Sequence, residues 1–204
     1  KPAGLAVQGG AGVQQSLEDL LGAFAKSNGK RPRLVHRLDR ETSGVIVAAR
    51  TKPAAAFLSE AFAGRDVQKT YLAVVCGGAP EPRSGEINLA LRKTNQRGLD
   101  IMVIDASGQS ALTRYRTLAA TPAAALLELS PETGRMHQLR VHLASIGRPI
   151  AGDARYGGAL VLDGCPVPRL MLHAKALTFP HPAGGELRID APVPADMAAL
   201  AAPI

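Results

Sequence analysis

The chain has 204 residues, 46% of them hydrophobic, which is enough for a substantial folded core and excludes a disordered chain. No apolar run is as long as a membrane span and no signal-peptide pattern opens the sequence, so a membrane protein is not expected. The 24 Lys and Arg against 17 Asp and Glu give a net charge of +7, which fits an anionic partner such as nucleic acid, or a protein that is merely basic.

The first third of the chain predicts a short helix, a strand and a longer helix. Residues 8–12 form a glycine-rich turn, and Ser16 then caps a helix with Asp19 in its first turn. The turn lacks the Gly-Lys-Ser/Thr of a phosphate loop, so a nucleotide site is not favoured there. Residues 44–49 are predicted as one buried strand, followed by a helix that starts at Thr51 and Pro53 and ends at Gly64.

The rest of the chain is richer in predicted strands than in helices. One helix is predicted from Arg135 to Ile146, opened by Thr133 or Gly134 and ended by Gly147. Because helices and strands do not alternate strictly, we predict an α+β fold with a mixed, largely antiparallel sheet flanked by helices and loops. The predicted strands are residues 69–76, 99–104, 109–118, 123–129, 172–179 and 186–189.

The two cysteines carry little information. Cys76 and Cys165 are far apart and belong to no CxxC or Cys/His cluster, so neither a disulfide framework nor a zinc site is predicted. Two isolated thiols fit a reducing cytoplasm, where we expect the protein to act. The sequence starts with Lys1 and not with methionine, and we expect it to be a fragment of a longer protein.

The segment 36–44, His-Arg-Leu-Asp-Arg-Glu-Thr-Ser-Gly, is the first candidate for chemistry. It precedes a predicted strand, so it would present the carboxylate of Asp39 at the rim of a sheet, where catalytic groups often lie. The alternative is a turn in which Asp39 bonds backbone amides and is neutralised by Arg37 and Arg40. Taken by itself, the segment favours the second interpretation.

The segment 132–142, Glu-Thr-Gly-Arg-Met-His-Gln-Leu-Arg-Val-His, is the second candidate. His142 follows His137 by five residues, a spacing that does not fit a helical zinc pair. Arg140 lies beside an apolar stripe and could reach inward to hold a carboxylate ionised, although most single arginines are surface residues. Tyr71, in residues 69–72, is the third candidate; a strand tyrosine is normally part of a core, but few aromatic faces are available here for base stacking.

Together, these segments resemble the RluA family of pseudouridine synthases in order and spacing. The likeness also includes Lys-Pro-Ala-Gly-Leu at 1–5 and the segments 147–157 and 172–182, so it covers essentially the whole chain. The pair HRLDxxTSG and GRxHQxR is highly specific. The resemblance implies the pseudouridine synthase catalytic fold as one domain over residues 1–204. Members of the synthase C group carry an S4-like RNA-binding domain before this domain, and here that domain is either absent or was cut away upstream of residue 1.

The resemblance also implies the roles of the site residues. Asp39 matches the nucleophile, Arg140 the arginine that pairs with it, and Tyr71 the residue that stacks on the target base and is placed to remove the C5 proton. Further residues match positions that bind the substrate. Leu139 matches a residue that packs on the base, and Arg37 matches one that enters the RNA stack as the uridine leaves it. His36 and Arg40 are also predicted to bind the substrate. Phosphate contacts are predicted for Arg40, Arg50, Arg135 and Arg155.

The same resemblance implies the partners. We expect an RNA substrate, a monomer, no membrane association, and no metal or organic cofactor. Residues 7–13 and 35–36 are closest to the synthase C group of the family, whose members modify 23S ribosomal RNA, whereas residues 92–100 and Met136 depart from that group. Transfer RNA or dual specificity is one alternative, and a non-catalytic RNA-binding protein of the same fold is another. A carboxylate-dependent nucleotide hydrolase would need a metal cluster or phosphate loop, and the sequence shows neither.

Overall fold

The computed structural model describes residues 1–10, 12–25, 27, 29–96 and 98–204. Ala11, in the predicted glycine-rich turn, and Arg97, in the segment 92–100, lie outside the described residues. The chain forms two compact units: the first contains Lys1–Gln68 and Ala174–Pro192, and the second contains Lys69–His173 and Val193–Ile204. Within the described ranges, no helix is long and apolar enough to cross a membrane.

The helices and strands are numbered here in chain order. The helices are α1 (Leu17–Leu20), followed directly by a 3₁₀ helix (Leu21–Phe24), then α2 (Lys52–Gly64), α3 (Gln138–Ser145) and α4 (Ala195–Ala201). The strands are β1 (Arg33–Leu34), β2 (Ser43–Gly44), β3 (Ala48–Ala49), β4 (Gln68–Cys76), β5 (Ser84–Asn88), β6 (Leu91–Gln96), β7 (Leu99–Ile104), β8 (Leu112–Ala120), β9 (Ala124–Pro131), β10 (Val161–Leu162), β11 (Cys165–Pro166), β12 (Leu172–Pro180) and β13 (Glu186–Asp190). The α+β composition and the predominance of antiparallel pairs agree with the predicted fold class.

Local capping signals set the helices of the first unit. The Ser16 hydroxyl accepts a hydrogen bond from the Asp19 amide at 3.3 Å, and the Asp19 carboxylate accepts one from the Ser16 amide at 2.9 Å, which is a complete capping box. The Thr51 hydroxyl caps α2 by accepting a hydrogen bond from the Ala54 amide at 3.3 Å. The inner face of α2 then packs on a small apolar core made of Val45, Ala49, Ala55, Leu58, Ala61, Val67, Leu177 and Phe179.

The predicted strand over residues 44–49 is wrong in extent. The structure has two short strands instead, because β2 pairs with β12 whereas β3 pairs with β1. Between them, the backbone amide of Val47 donates to Nε2 of His36 at 2.8 Å. A backbone donor that is satisfied by a side chain is not used in a strand ladder, so the strand is interrupted there.

The second unit is built on antiparallel strands in the order β4-β9-β8-β5. Tyr71 and Tyr115 flank Leu129 of β9 in this register, one from β4 and the other from β8. β6 and β7 form a separate hairpin, and β10 and β11 form another. The predicted strands at 69–76, 99–104, 109–118 and 123–129 correspond to β4, β7, β8 and β9, and are confirmed with small shifts at their ends.

Helix α3 begins at Gln138, three residues later than predicted. Gln138 accepts hydrogen bonds at Oε1 from the Thr133 hydroxyl at 2.7 Å and from the Arg135 amide at 3.0 Å, which folds the preceding residues into a tight turn. His137 ends that turn with a left-handed φ of 51°, so the helix cannot start before it. Leu139 and Leu143 then face the main apolar core of the unit, as their helical spacing predicts.

His142 is a buried structural histidine of α3. Its Nε2 lies 3.1 Å from the Leu89 carbonyl oxygen and its Nδ1 lies 3.0 Å from the Thr113 hydroxyl, which itself accepts from Gln138 at 3.1 Å. This network assigns the proton to Nε2 of a neutral ring. Burial lowers the pKa of His142 below its ordinary value of 6.5.

Because the folded state disfavours the charged ring, acid should destabilise the protein through His142. The contribution of His142 is fully present above its unfolded pKa of about 6.5 and is lost as the pH falls below it, at up to about 1.4 kcal/mol per pH unit. We expect the free energy of unfolding in urea to decrease between about pH 7.5 and about pH 5.5, and to decrease less in His142→Gln. An equal pH dependence in the variant would assign the effect to other groups.

Candidate active site

Asp39 lies in the first unit, in the loop that joins β1 to β2. The residue is partly exposed, between the exposed side chains of Arg37 and Arg40, while Leu38 is buried and anchors the loop. The backbone makes a tight turn here, because the Thr42 amide donates to the Asp39 carbonyl oxygen at 3.1 Å. The sequence therefore places a carboxylate on a short, anchored loop.

The segment 1–5 holds the other side of this loop. The Gly4 amide and the Lys1 ammonium both donate to the Arg40 carbonyl oxygen at 2.9 Å, and Nε of Arg40 donates back to the Gly4 carbonyl oxygen at 3.0 Å. Burial lowers the pKa of the Lys1 side chain to about 8, opposed by its attraction to the carboxylates of Glu41 and Asp39. Lys1 is thus a cation beside Asp39 that sequence reasoning missed; it lies in the Lys-Pro-Ala-Gly-Leu segment, which carried no assigned role.

His36 makes structural contacts within the same unit. Its Nε2 accepts from the Val47 amide, and its ring stacks on Phe62 of α2 with the ring centroids 4.3 Å apart and the planes at 11°. These contacts join the Asp39 loop to α2. The substrate-binding role predicted for His36 stays a prediction, as do those of Arg37 and Arg40.

Tyr71 and Leu139 belong to the second unit and to one core. Tyr71 lies in β4 opposite Leu129 of β9, is partly exposed, and packs against the apolar core that includes Leu129 and Leu139. Leu139, on α3, is 7% exposed. The structure therefore brings the predicted stacking residue and the predicted aliphatic residue to the same cluster.

Arg140, on α3 of the second unit, forms a buried ion pair that the sequence did not predict. Nε and Nη2 of Arg140 donate to the two carboxylate oxygens of Asp153, each at 2.7 Å, and the side chains are 9% and 0% exposed. Two parallel hydrogen bonds between a guanidinium and a carboxylate fix both groups in one plane. The side chain of Arg140 thus reaches inward to the carboxylate of Asp153, whereas its predicted pairing with Asp39 stays a prediction.

Tyr156 is the second neighbour of Arg140. Cζ of Arg140 lies 5.1 Å from the centroid of the Tyr156 ring. The Tyr156 hydroxyl accepts from the Met102 amide at 3.0 Å and lies 2.8 Å from Nδ1 of His137. Burial raises the pKa of Tyr156, so the ring next to the guanidinium is a neutral phenol. Asp153 and Tyr156 both lie in segment 147–157, which contributed to the family likeness, but no role was predicted for either residue.

The segment 92–100, which departs from the synthase C group, contributes to the hairpin of β6 and β7. Two of its basic residues form ion pairs: Arg92 with Asp105, directly after β7, at 2.6 Å, and Lys93 with Asp100 of β7 at 2.5 Å. Arg155 donates to the Asp100 carbonyl oxygen at 3.2 Å, and Arg135 donates to that of Ser110 at 3.2 Å. Within the described residues, no group of three or more His, Cys, Asp or Glu could hold a metal ion.

Comparison with known proteins gives consistent matches. Residues 1–145 match the model of a family described as RNA pseudouridylate synthase. Ribosomal large subunit pseudouridine synthase D of Xanthomonas campestris pv. campestris is 40% identical over 211 residues, which cover 97% of this chain and 63% of that protein. Ribosomal large subunit pseudouridine synthase C of Escherichia coli strain K12 is 39% identical over 199 residues, which cover 95% of this chain and 62% of that protein. The chain thus spans less than two thirds of the length of these curated relatives.

Solved structures give the same result for the fold. The human protein titled RNA Pseudouridylate Synthase Domain Containing 4 superposes with a TM-score of 0.82 at 31% identity, over 97% of this chain and 85% of that one. The human protein titled RNA Pseudouridylate Synthase Domain Containing 1 has a TM-score of 0.74 at 29% identity, over 94% and 77% of the two chains. The predicted fold is confirmed. Relatives named C and D match at nearly equal identity, so the comparisons do not separate these two groups.

Proposed function

Because the chain belongs to the RNA pseudouridylate synthase family, in its RluA branch, we propose that it converts specific uridines of 23S ribosomal RNA to pseudouridine. The observation that carries this proposal is the HRLDxxTSG aspartate, Asp39, on a loop whose backbone is held by Lys1 and Gly4. The relatives' printed names supply the ribosomal target. We further propose that the protein acts as a monomer in the cytoplasm, without a metal or organic cofactor.

Asp39 acts as the nucleophile in this proposal. The reaction detaches uracil from C1′ of the ribose, rotates it within the site, and rejoins it through C5 with loss of the C5 proton. An ionised carboxylate can attack without first losing a proton, so an aspartate suits this role. In the proposal Arg140 pairs with Asp39, because a guanidinium beside a carboxylate favours its ionised form and orients it.

The target base needs a site outside the RNA stack. Reaching C1′ and C5 requires the uridine to be flipped out, which costs stacking and pairing energy. In the proposal Tyr71 stacks on the flipped base and Leu139 packs on it, a role supported by their packing against the same core. Arg37 takes the place of the base in the RNA, while Arg40 and His36 contact the substrate next to it. Arg50, Arg135 and Arg155 hold phosphates.

The test is tritium release from a 23S ribosomal RNA transcript labelled at C5 of uridine, followed by mapping of the modified positions. Release in proportion to the mapped pseudouridine is the expected result. Release from a transfer RNA transcript alone would replace the ribosomal target with the transfer RNA alternative. RNA binding without release from either transcript would contradict the enzymatic function and leave an RNA-binding protein of the same fold.

Replacing Tyr71 with phenylalanine should slow turnover far more than it weakens binding. The ring that stacks on the base is retained, so the Kd for RNA should stay within about threefold, whereas loss of the hydroxyl that takes the C5 proton should lower kcat by about 10²-fold or more. Tyr115→Phe is the matched control, since Tyr115 lies in β8, on the opposite side of β9 from Tyr71, and its hydroxyl donates to the Pro82 carbonyl oxygen at 3.2 Å. Equal losses in kcat and affinity for Tyr71→Phe would indicate a stacking role alone.

A further inference from the structure

We propose that Asp153 is a positioning residue of the pseudouridylation site, which, with Tyr156, fixes the Arg140 guanidinium in the single orientation that the reaction uses. This inference rests on the proposed function, because it assigns Arg140 to the reacting centre. It adds to that function a second carboxylate and a tyrosine, neither of which has a role in the mechanism described above. All three residues lie in the second unit.

The burial of the Arg140–Asp153 pair argues for a role beyond stability. Its side chains are 9% and 0% exposed, whereas the bidentate Arg169–Asp196 pair of the same unit is 14% and 38% exposed. Burying both charges removes their hydration, and this cost offsets most of their mutual attraction, so apolar residues would stabilise such a position as well. The geometry of the pair gives the arginine a fixed plane, which is what orientation of a second carboxylate requires.

Asp153 is itself held rigidly by the loop that carries it. Its Oδ1 accepts from the Arg155 amide at 3.1 Å and from the Tyr156 amide at 3.2 Å, and its carbonyl oxygen accepts from the Gly158 amide at 2.8 Å. A Cβ at Gly158 would overlap the Ile150 carbonyl oxygen and would lie 2.7 Å from the Asp153 nitrogen. The turn therefore packs too closely for a side chain there, and it leaves the Asp153 carboxylate little freedom to move.

Tyr156 also restricts the movement of the Arg140 guanidinium. Its ring lies 5.1 Å from Cζ of Arg140, and its hydroxyl is held by the Met102 amide of β7 and by His137 at the start of α3. An arginine side chain otherwise samples many rotamers, and fixing it before the substrate binds removes that entropic cost from the reaction. A misplacement of about 1 Å in a positioning group can cost about 10²-fold in rate.

The first experiment is Asp153→Asn, assayed by tritium release from C5-labelled 23S ribosomal RNA. Asparagine keeps the size and an acceptor for the two amides but replaces the negative oxygen with an NH₂ group facing Arg140. We expect kcat to fall by about 10²-fold with the Kd for RNA within about threefold. Asp196→Asn is the matched control, because Asp196 binds Arg169 with the same bidentate geometry at 2.6 and 2.7 Å. It should keep kcat within about twofold. A folded Asp153→Asn protein with wild-type kcat overturns the proposal.

Two further measurements decide the matter if Asp153→Asn does not fold. Asp153→Glu keeps the charge and moves it by one methylene, so we expect a folded protein with kcat lowered by about tenfold or more; wild-type kcat overturns the proposal. In the unsubstituted protein, the Nε–H of Arg140, assigned by its absence in Arg140→Lys, should give an NMR signal that exchanges slowly with water. Fast exchange overturns the positioning role. This signal does not depend on activity, so a protein that releases no tritium contradicts the proposed function without affecting this result.

Discussion

Asp39→Asn abolishes tritium release from C5-labelled 23S ribosomal RNA while the Kd for that RNA stays within about threefold of wild type. Asparagine has nearly the size of aspartate but no anionic oxygen with which to attack. We expect kcat to fall by at least about 10³-fold, which corresponds to about 4 kcal/mol in the activation barrier. Asp39→Ala should behave in the same way, since both variants lack the nucleophile.

The loop itself should survive this substitution. Its turn is closed by backbone atoms, from the Thr42 amide to the Asp39 carbonyl oxygen, and its other side is held by bonds to the Arg40 carbonyl oxygen from Lys1 and Gly4. The melting temperature of Asp39→Asn should therefore stay close to that of wild type. Loss of activity with an unchanged melting temperature would be chemical in origin and not a consequence of unfolding.

Glu41→Gln is the matched control for Asp39→Asn. Glu41 is a carboxylate of the same loop, half exposed and 3.6 Å from Nε of Arg40. An exposed ion pair of this kind contributes at most about 1 kcal/mol. We expect Glu41→Gln to release tritium at close to the wild-type rate. Undiminished release by Asp39→Asn, or equal losses in both variants, would contradict the nucleophile assignment.

The features that could be predicted from the sequence are those that depend on neighbouring residues. Ser16 and Thr51 cap helices through residues three positions away, so their role is visible in a short window of sequence. The strands of the second unit follow from short runs of strand-forming residues between turn signals. The Asp39 loop is different, because a carboxylate between arginines fits a neutralised turn equally well. Only the order of several distant segments, as in one family, singled out Asp39.

The features that were missed depend on side chains reaching across the sequence. Val47 does not continue the predicted strand, because its amide donates to the side chain of His36, eleven residues earlier. The hydrophobic pattern of residues 44–49 gives no sign of that hydrogen bond. Helix α3 starts late because the side chain of Gln138 closes the turn from Thr133. The Arg140–Asp153 pair joins residues thirteen positions apart, and a buried pair of opposite charges has no signature in a hydrophobic pattern.

Gly44→Ala should strongly destabilise the first unit. Gly44 ends the Asp39 loop with a φ of +124°, a backbone conformation that L side chains rarely adopt. A Cβ there would overlap the Ala174 carbonyl oxygen and would lie 2.6 Å from the Ala174 nitrogen. The backbone cannot easily move away, because the Val45 amide donates to the Ala174 carbonyl oxygen at 2.9 Å and β2 pairs with β12.

Gly4→Ala separates the effect of backbone strain on stability from the effect of the Cβ overlap with Ala174. Gly4 also has a positive φ, +83°, but a Cβ there would meet nothing within 4 Å, so Gly4→Ala should cost only about 1–2 kcal/mol of backbone strain. For Gly44→Ala, strain and overlap together should lower the free energy of unfolding by at least about 4 kcal/mol, a large part of the roughly 5–15 kcal/mol typical of a domain. Urea unfolding of both variants measures the difference. Equal, small losses would mean that the Asp39 loop can move away from Ala174, and that its fixed position comes from Lys1 and Gly4 alone.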